Sequence, residues 1–108
     1  LYLHMHIRKT VNIEQAEEAI FIATIASALS HPVRVALLHY VRQKDEVSSE
    51  VCNKDLVAHF PYSQSSLSQH VRKLKDCGLF RVEYKDKFSL YSVNEEILAE
   101  YIDAIQKL

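Results

Sequence analysis

Between Tyr62 and Leu79 the chain reads YSQSSLSQHVRKLKDCGL, a run dense in hydroxyls, amides and cations. Leu67, Val71 and Leu74 fall at helical spacing, so one narrow apolar stripe faces a core. Ser65, Gln69, Arg72 and Asp76 lie opposite that stripe, and Gln64 and Ser68 flank the first turn. The chemistry these residue types offer is recognition. Small hydroxyls let a helix sit deep in a DNA major groove, and Gln64 and Gln69 can pair with an adenine edge. Arg72, Lys73 and two lysines further on, Lys85 and Lys87, suit phosphates, which supply affinity without sequence information. Ser63 leaves free N–H groups at the helix start, where an anion is favoured. The plain alternative is a solvated polar face. His70 sits beside the apolar stripe, and its type and position fit a buried, hydrogen-bonded histidine as well as a DNA contact.

Catalysis finds no support in these residues. There is no Ser/His/Asp set, no paired carboxylates and no phosphate-binding loop, and 108 residues with one glycine leave little room for a pocket. The net charge of −1 hides an uneven distribution: residues 53–87 carry a net +3 and the remainder a net −4. Basic charge is therefore concentrated around the run described above.

The elements that must position this run follow from pattern and punctuation. A length of 108 residues at 48% hydrophobic content fits a single domain over 1–108. One glycine and two prolines favour helices over a turn-rich all-β fold. Ile13 to Leu29 reads as a helix whose apolar residues, among them Ile13, Ala16, Ile20 and Ala23, cover more than half its circumference. Burial on two sides is implied. Ser30 caps a second helix from Val33 to about Arg42, with Pro32 in its first turn. QKDEVSSEV reads as a polar loop. Cys52 or Asn53 caps a short third helix, Lys54 to Phe60, which buries Leu56, Val57 and Phe60. Ser63 caps the fourth helix, which runs to Cys77, and Gly78 stands where a left-handed C-cap is wanted. LFRVEY and FSLYSV alternate in period two around KDK, a hairpin with a charged tip in which Arg81 and Glu83 are candidates to pair. Asn94 caps a last helix, Glu95 to Leu108, with Ile97, Leu98, Tyr101, Ile102, Ile105 and Leu108 on one side. The order is α-α-α-α-β-β-α: a mainly α chain with a small β-hairpin. The most apolar run, AIFIATIASAL, is about half the length that spans a bilayer and lacks signal-peptide flanks, so no membrane partner and a cytoplasmic location are expected.

Two short helices joined by a tight turn, the second polar outside and followed by a charged hairpin, make a winged helix-turn-helix. ALSHPVRVALLHYV, DLVAHFPYSQSSLSQHVRKLKDCGLF and LYSV resemble the ArsR/SmtB family of bacterial winged-helix repressors over about Ala26 to Val93. The resemblance implies a dimeric transcriptional repressor that binds double-stranded DNA at an inverted repeat. It puts the homodimer interface on the first and last helices, at Ile13, Ala16, Ile20, Ala23, Leu98, Tyr101, Ile102 and Ile105. A protein-protein interaction module that does not bind DNA is the alternative that the fold permits.

Metal-sensing members of that family carry two thiolates in ELCVCDL, where this chain reads EVCNKDL. Lys54 replaces the second cysteine, and an ammonium repels a cation. The last helix, where the family has an alternative Asp/His site, contains no histidine. No metal or other cofactor is therefore expected. His4 and His6, in a stretch where Met5 could be the start, are the remaining candidates to join Cys52 in an N-terminal site. Cys52 and Cys77 offer a different switch, a redox pair, because a thiol near a helix N-terminus and a lysine favours the thiolate. The alternatives left open are a small effector, a thiol oxidant or no effector at all.

Overall fold

The computed structural model describes residues 12–108; His4 and His6 lie outside them. Five helices and three strands follow in the order α1 (Ile13–Ala28), α2 (Pro32–Glu46), β1 (Val51–Cys52), α3 (Asn53–His59), α4 (Gln64–Asp76), β2 (Phe80–Lys85), β3 (Phe88–Val93) and α5 (Glu95–Gln106). This is the winged helix-turn-helix that the sequence predicts, with one strand more than its hairpin. The strands form one antiparallel sheet in the order β1-β3-β2, with Val51 opposite Tyr91 and Phe80 opposite Val93.

Each helix starts on a side chain that satisfies an otherwise unpaired N–H group. Asn12 Oδ1 accepts from the Gln15 N–H at 2.8 Å, Ser63 Oγ from Ser66 at 3.1 Å, and Asn94 Oδ1 from Ile97 at 3.2 Å. Asp55 reaches back to the Cys52 N–H at 2.8 Å, so Cys52 is the cap residue of α3. At α2 the expected cap is wrong by one residue. His31 Nδ1 accepts from the Val33 N–H at 3.2 Å, while the Ser30 hydroxyl turns back and donates to the Ser27 carbonyl at 2.7 Å. Pro32 occupies the first helical turn, where its missing N–H costs nothing.

The expected loop QKDEVSSEV is also partly corrected. Gln43 to Glu46 continue α2, and Val51 joins the sheet. The extension has a structural consequence: Asp45 Oδ2 accepts from the backbone N–H of Val93 at 2.8 Å and ties the end of α2 to the last residue of β3.

The core is one contiguous cluster in which Ile25, Leu37, Val41, Val51, Leu56, Leu74 and Leu79 are almost wholly buried. It draws on every helix and on the base of the wing. In α3 only Leu56 is buried. Val57, one residue on and about 100° further round the helix, is exposed, and Phe60 is half-buried. Arg81 does not pair with Glu83; its guanidinium lies 3.4 Å from Asn94 Oδ1 and 4.0 Å from Glu96 of α5. Side chains two apart on a strand share a face, but the neighbouring helix end supplies the nearer acceptors.

Candidate nucleic-acid interface

The turn between α3 and α4 is built by Pro61, which ends α3, and by Ser63, whose extended backbone and side-chain oxygen start α4. Leu67, Val71 and Leu74 anchor α4 in the core, and their spacing forces the rest of the helix outward. Ser63, Gln64, Ser65, Ser68, Gln69 and Arg72 line one open concave surface. Gln64, Ser65, Ser68, Gln69 and Arg72 keep their side chains exposed, and none of them is engaged in a side-chain hydrogen bond among the described residues. That leaves amides, hydroxyls and a guanidinium with unused hydrogen-bonding capacity on the outward side of α4.

At the C-terminal end of α4, Gly78 has φ +92, a conformation open to glycine at little cost. It turns the chain directly from α4 into β2, and so fixes where the wing stands relative to α4. Lys85 and Lys87 flank the hairpin tip, where Asp86 takes φ +56. Both lysines are exposed, as is Tyr84. Lys54 of α3 places its ammonium 5.1 Å from the centre of the Phe88 ring and holds the wing from the other side.

Two of the sequence candidates stand apart from this surface. Lys73 is exposed but borders a shallow groove against α1, together with Ile20, Thr24, Ser27 and Cys77. His70 is half-buried and turns inward: its Nδ1 lies 3.2 Å from Arg34 Nη1, and its ring sits 4.6 Å from that of His31. Burial, followed by the nearby charges of His31 and Arg34, holds its pKa below the usual histidine value. Arg34 is the residue that sequence reasoning missed. Its partner lies 36 positions away, and an arginine in the first turn of a helix carries no signal of such a contact.

The two cysteines are free and occupy separate surroundings. Cys52 lines a small surface depression with Glu50, Asp55, Phe88 and Leu90. Cys77 caps the end of α4, where its Sγ lies 3.3 Å from the Leu74 carbonyl and burial pushes its thiol pKa up. Among the described residues, no group of three or more His, Cys, Asp or Glu side chains is arranged to hold a metal ion. No single described helix is long and apolar enough to cross a membrane.

The eight residues assigned to the dimer interface divide into two sets. Ala16 and Leu98 are buried within the protomer and Tyr101 is half-buried. Ala23 is exposed, and Ile13, Ile20, Ile102 and Ile105 are 75%, 54%, 45% and 39% exposed. Helices α1 and α5 pack on each other, so their outer sides present apolar residues to solvent together.

Comparison with known proteins agrees with this geometry. Residues 31–82 match the family model described as bacterial regulatory protein, arsR family. The arsenical resistance operon repressor of Staphylococcus xylosus is 33% identical over 82 residues, which cover 76% of this chain and 73% of that protein. The structure of NolR from Sinorhizobium fredii superposes with a TM-score of 0.69 at 25% identity, over 92% of this chain and 94% of that one. An ArsR-like transcriptional regulator from Rhodococcus sp. RHA1 gives a TM-score of 0.71 at 18% identity, over 82% and 79% of the two chains. The Staphylococcus xylosus protein is named as a repressor and the Rhodococcus protein as a transcriptional regulator. With its polar outward-facing helix, its wing and 33% identity to an arsenical resistance operon repressor over 76% of its length, the chain belongs to the ArsR family of bacterial regulatory proteins.

Proposed function

We propose that the chain is a dimeric, cytoplasmic repressor that reads an inverted repeat in double-stranded DNA through α4. The observation that carries this is the single open surface of Gln64, Ser65, Ser68, Gln69 and Arg72 on a helix pinned at three core positions. Ser63 starts that helix and points its free N–H groups at a phosphate. Gln64 and Gln69 read base edges, and Arg72 with the wing lysines Lys85 and Lys87 neutralises phosphates.

Dimerisation rests on the exposed isoleucines of α1 and α5, two helices that pack on each other and leave large apolar side chains in water, where an apolar partner surface would cover them. A two-fold axis there sets two α4 helices for two half-sites, and pseudo-palindromic DNA follows. Residues 1–108 act as one winged-helix unit, and repression comes from occupying a promoter. Cys52 is followed two residues later by Lys54 and not by a second thiol, so the inducer in this reading is a small effector or a thiol oxidant.

Selection of duplexes from a random-sequence library by the purified protein tests the reading. An enriched pseudo-palindrome whose binding is weakened by Gln69→Ala and Arg72→Ala supports it. A folded protein that enriches no duplex refutes it and leaves the protein-interaction module as the use of this fold.

A further inference from the structure

The end of α1, the start of α2 and the middle of α4 meet at one polar contact. Arg34, in the first turn of α2, donates from Nε to the Ala28 carbonyl at 2.6 Å and lies with Nη1 3.2 Å from His70 Nδ1. The Ala28 carbonyl belongs to the last turn of α1, so it has no partner within its own helix and lies at the negative end of the helix dipole. A guanidinium is a natural occupant of that position. Among the described residues Arg34 forms no ion pair with a carboxylate, so its charge is spent on these two neutral acceptors.

The second acceptor imposes a condition. Arginine has no acceptor to offer, so the bond to His70 exists only while Nδ1 keeps its lone pair and the proton of the neutral ring sits on Nε2. A proton on Nδ1 would set two donors and two positive charges face to face. The titratable and charged groups that act on His70 are His31 and Arg34, both from the start of α2. Helices α2 and α3 and strand β2 pack on α4, but α1 touches it little, so Arg34 is the bridge from the end of α1 to α4.

We propose that Arg34 is a positioning residue for DNA reading: anchored on α1 at Ala28, it holds α4 through His70 and releases it when His70 is protonated. The proposal rests on the reading above that α4 contacts DNA and that α1 belongs to the dimer interface. In a dimer of that kind, α1 stands at the two-fold axis and α4 faces the DNA. The Arg34 clamp sets the angle between them, and so the separation of the two reading helices across the two-fold axis.

The test uses the full chain and a duplex enriched by selection at about pH 7.5. If no duplex is enriched by a folded protein, the DNA reading itself fails and the clamp falls with it. With such a duplex, Arg34→Met is expected to bind about tenfold more weakly, the loss that a charge-assisted contact of this kind produces. The wild-type affinity is expected to fall as the pH is lowered from about 7.5 to about 5.5, with salt held constant. Arg34→Met and His70→Gln are each expected to flatten that profile, whatever their absolute affinity, because the first removes the donor and the second the titrating group. A merely structural loss would lower affinity without altering the pH dependence. Circular dichroism establishes that each variant folds. The proposal is overturned if folded Arg34→Met keeps wild-type affinity, or if folded His70→Gln retains the wild-type pH profile.

Discussion

Gly78 joins α4 to the wing, and its replacement by alanine has an effect whose size follows from the local geometry. At φ +92 an L side chain brings its Cβ against its own backbone, at a cost of about 1–2 kcal/mol. An added Cβ would meet only Ile97 Cγ1, at 3.8 Å, an ordinary contact, so no steric clash adds to that cost. Alanine also narrows the unfolded ensemble, which offsets part of the loss. Gly78→Ala is therefore expected to lower stability by about 1 kcal/mol, a fall in Tm of about 4–8 °C for a chain of this size. The assay is thermal and urea unfolding followed by circular dichroism at one fixed protein concentration, since association shifts apparent stability. Gly78→Asn should lose less, because asparagine tolerates positive φ better than alanine does. Gly78→Ala as stable as the parent would refute the reasoning, and so would a loss above about 4 kcal/mol, which needs a packing defect that the space around Gly78 does not contain.

Three further outcomes follow from contacts elsewhere. Asp45→Ala leaves the Val93 N–H without its acceptor and should cost about 1–3 kcal/mol in urea unfolding, whereas Asp45→Asn, which keeps an oxygen in place, should lose clearly less. Ile102→Glu with Ile105→Glu puts two charges on the exposed face of α5 and should shift sedimentation from dimer to monomer with helix content unchanged, because neither residue is buried within the protomer. Cys77 should be alkylated slowly in the folded protein near neutral pH and quickly in urea, because burial raises its pKa and only the thiolate reacts. The same shift makes its contribution to stability complete below the unfolded thiol pKa of 9.0 and lost as the pH rises through the higher folded value.

How much of this was legible in the sequence depends on how local each cause is. The start of α4 at Ser63, the start of α5 at Asn94 and the left-handed Gly78 were readable because the residue type that solves each problem sits at the place where the problem arises. The stripe of Leu67, Val71 and Leu74 was readable for the same reason and fixed which face of α4 is free. Strand β1 was not: two residues carry no periodicity, and what makes Val51 and Cys52 a strand is pairing with Tyr91 and Leu90 about forty positions later. The end of α2 is hidden in the sequence because Gln43, Lys44, Asp45 and Glu46 are polar and suit a loop as well as a solvated last turn, although most of them are good helix formers. Ser30 and His31 both offer a cap, and backbone geometry chose the imidazole. The Arg34 bridge was beyond reach, since it joins three elements that only the packed core brings together.

The binding of duplex DNA proposed for α4 and the wing is tested by its salt dependence, read by fluorescence anisotropy with a selected duplex. In the proposed dimer, Arg72, Lys85 and Lys87 from each of two protomers would neutralise about six phosphates, which gives a log–log slope of about −5. Lys85→Ala with Lys87→Ala should reduce that slope by about 3 to 4. A slope near zero, or one that the lysine substitutions leave unchanged, would mean that this surface does not contact the DNA backbone.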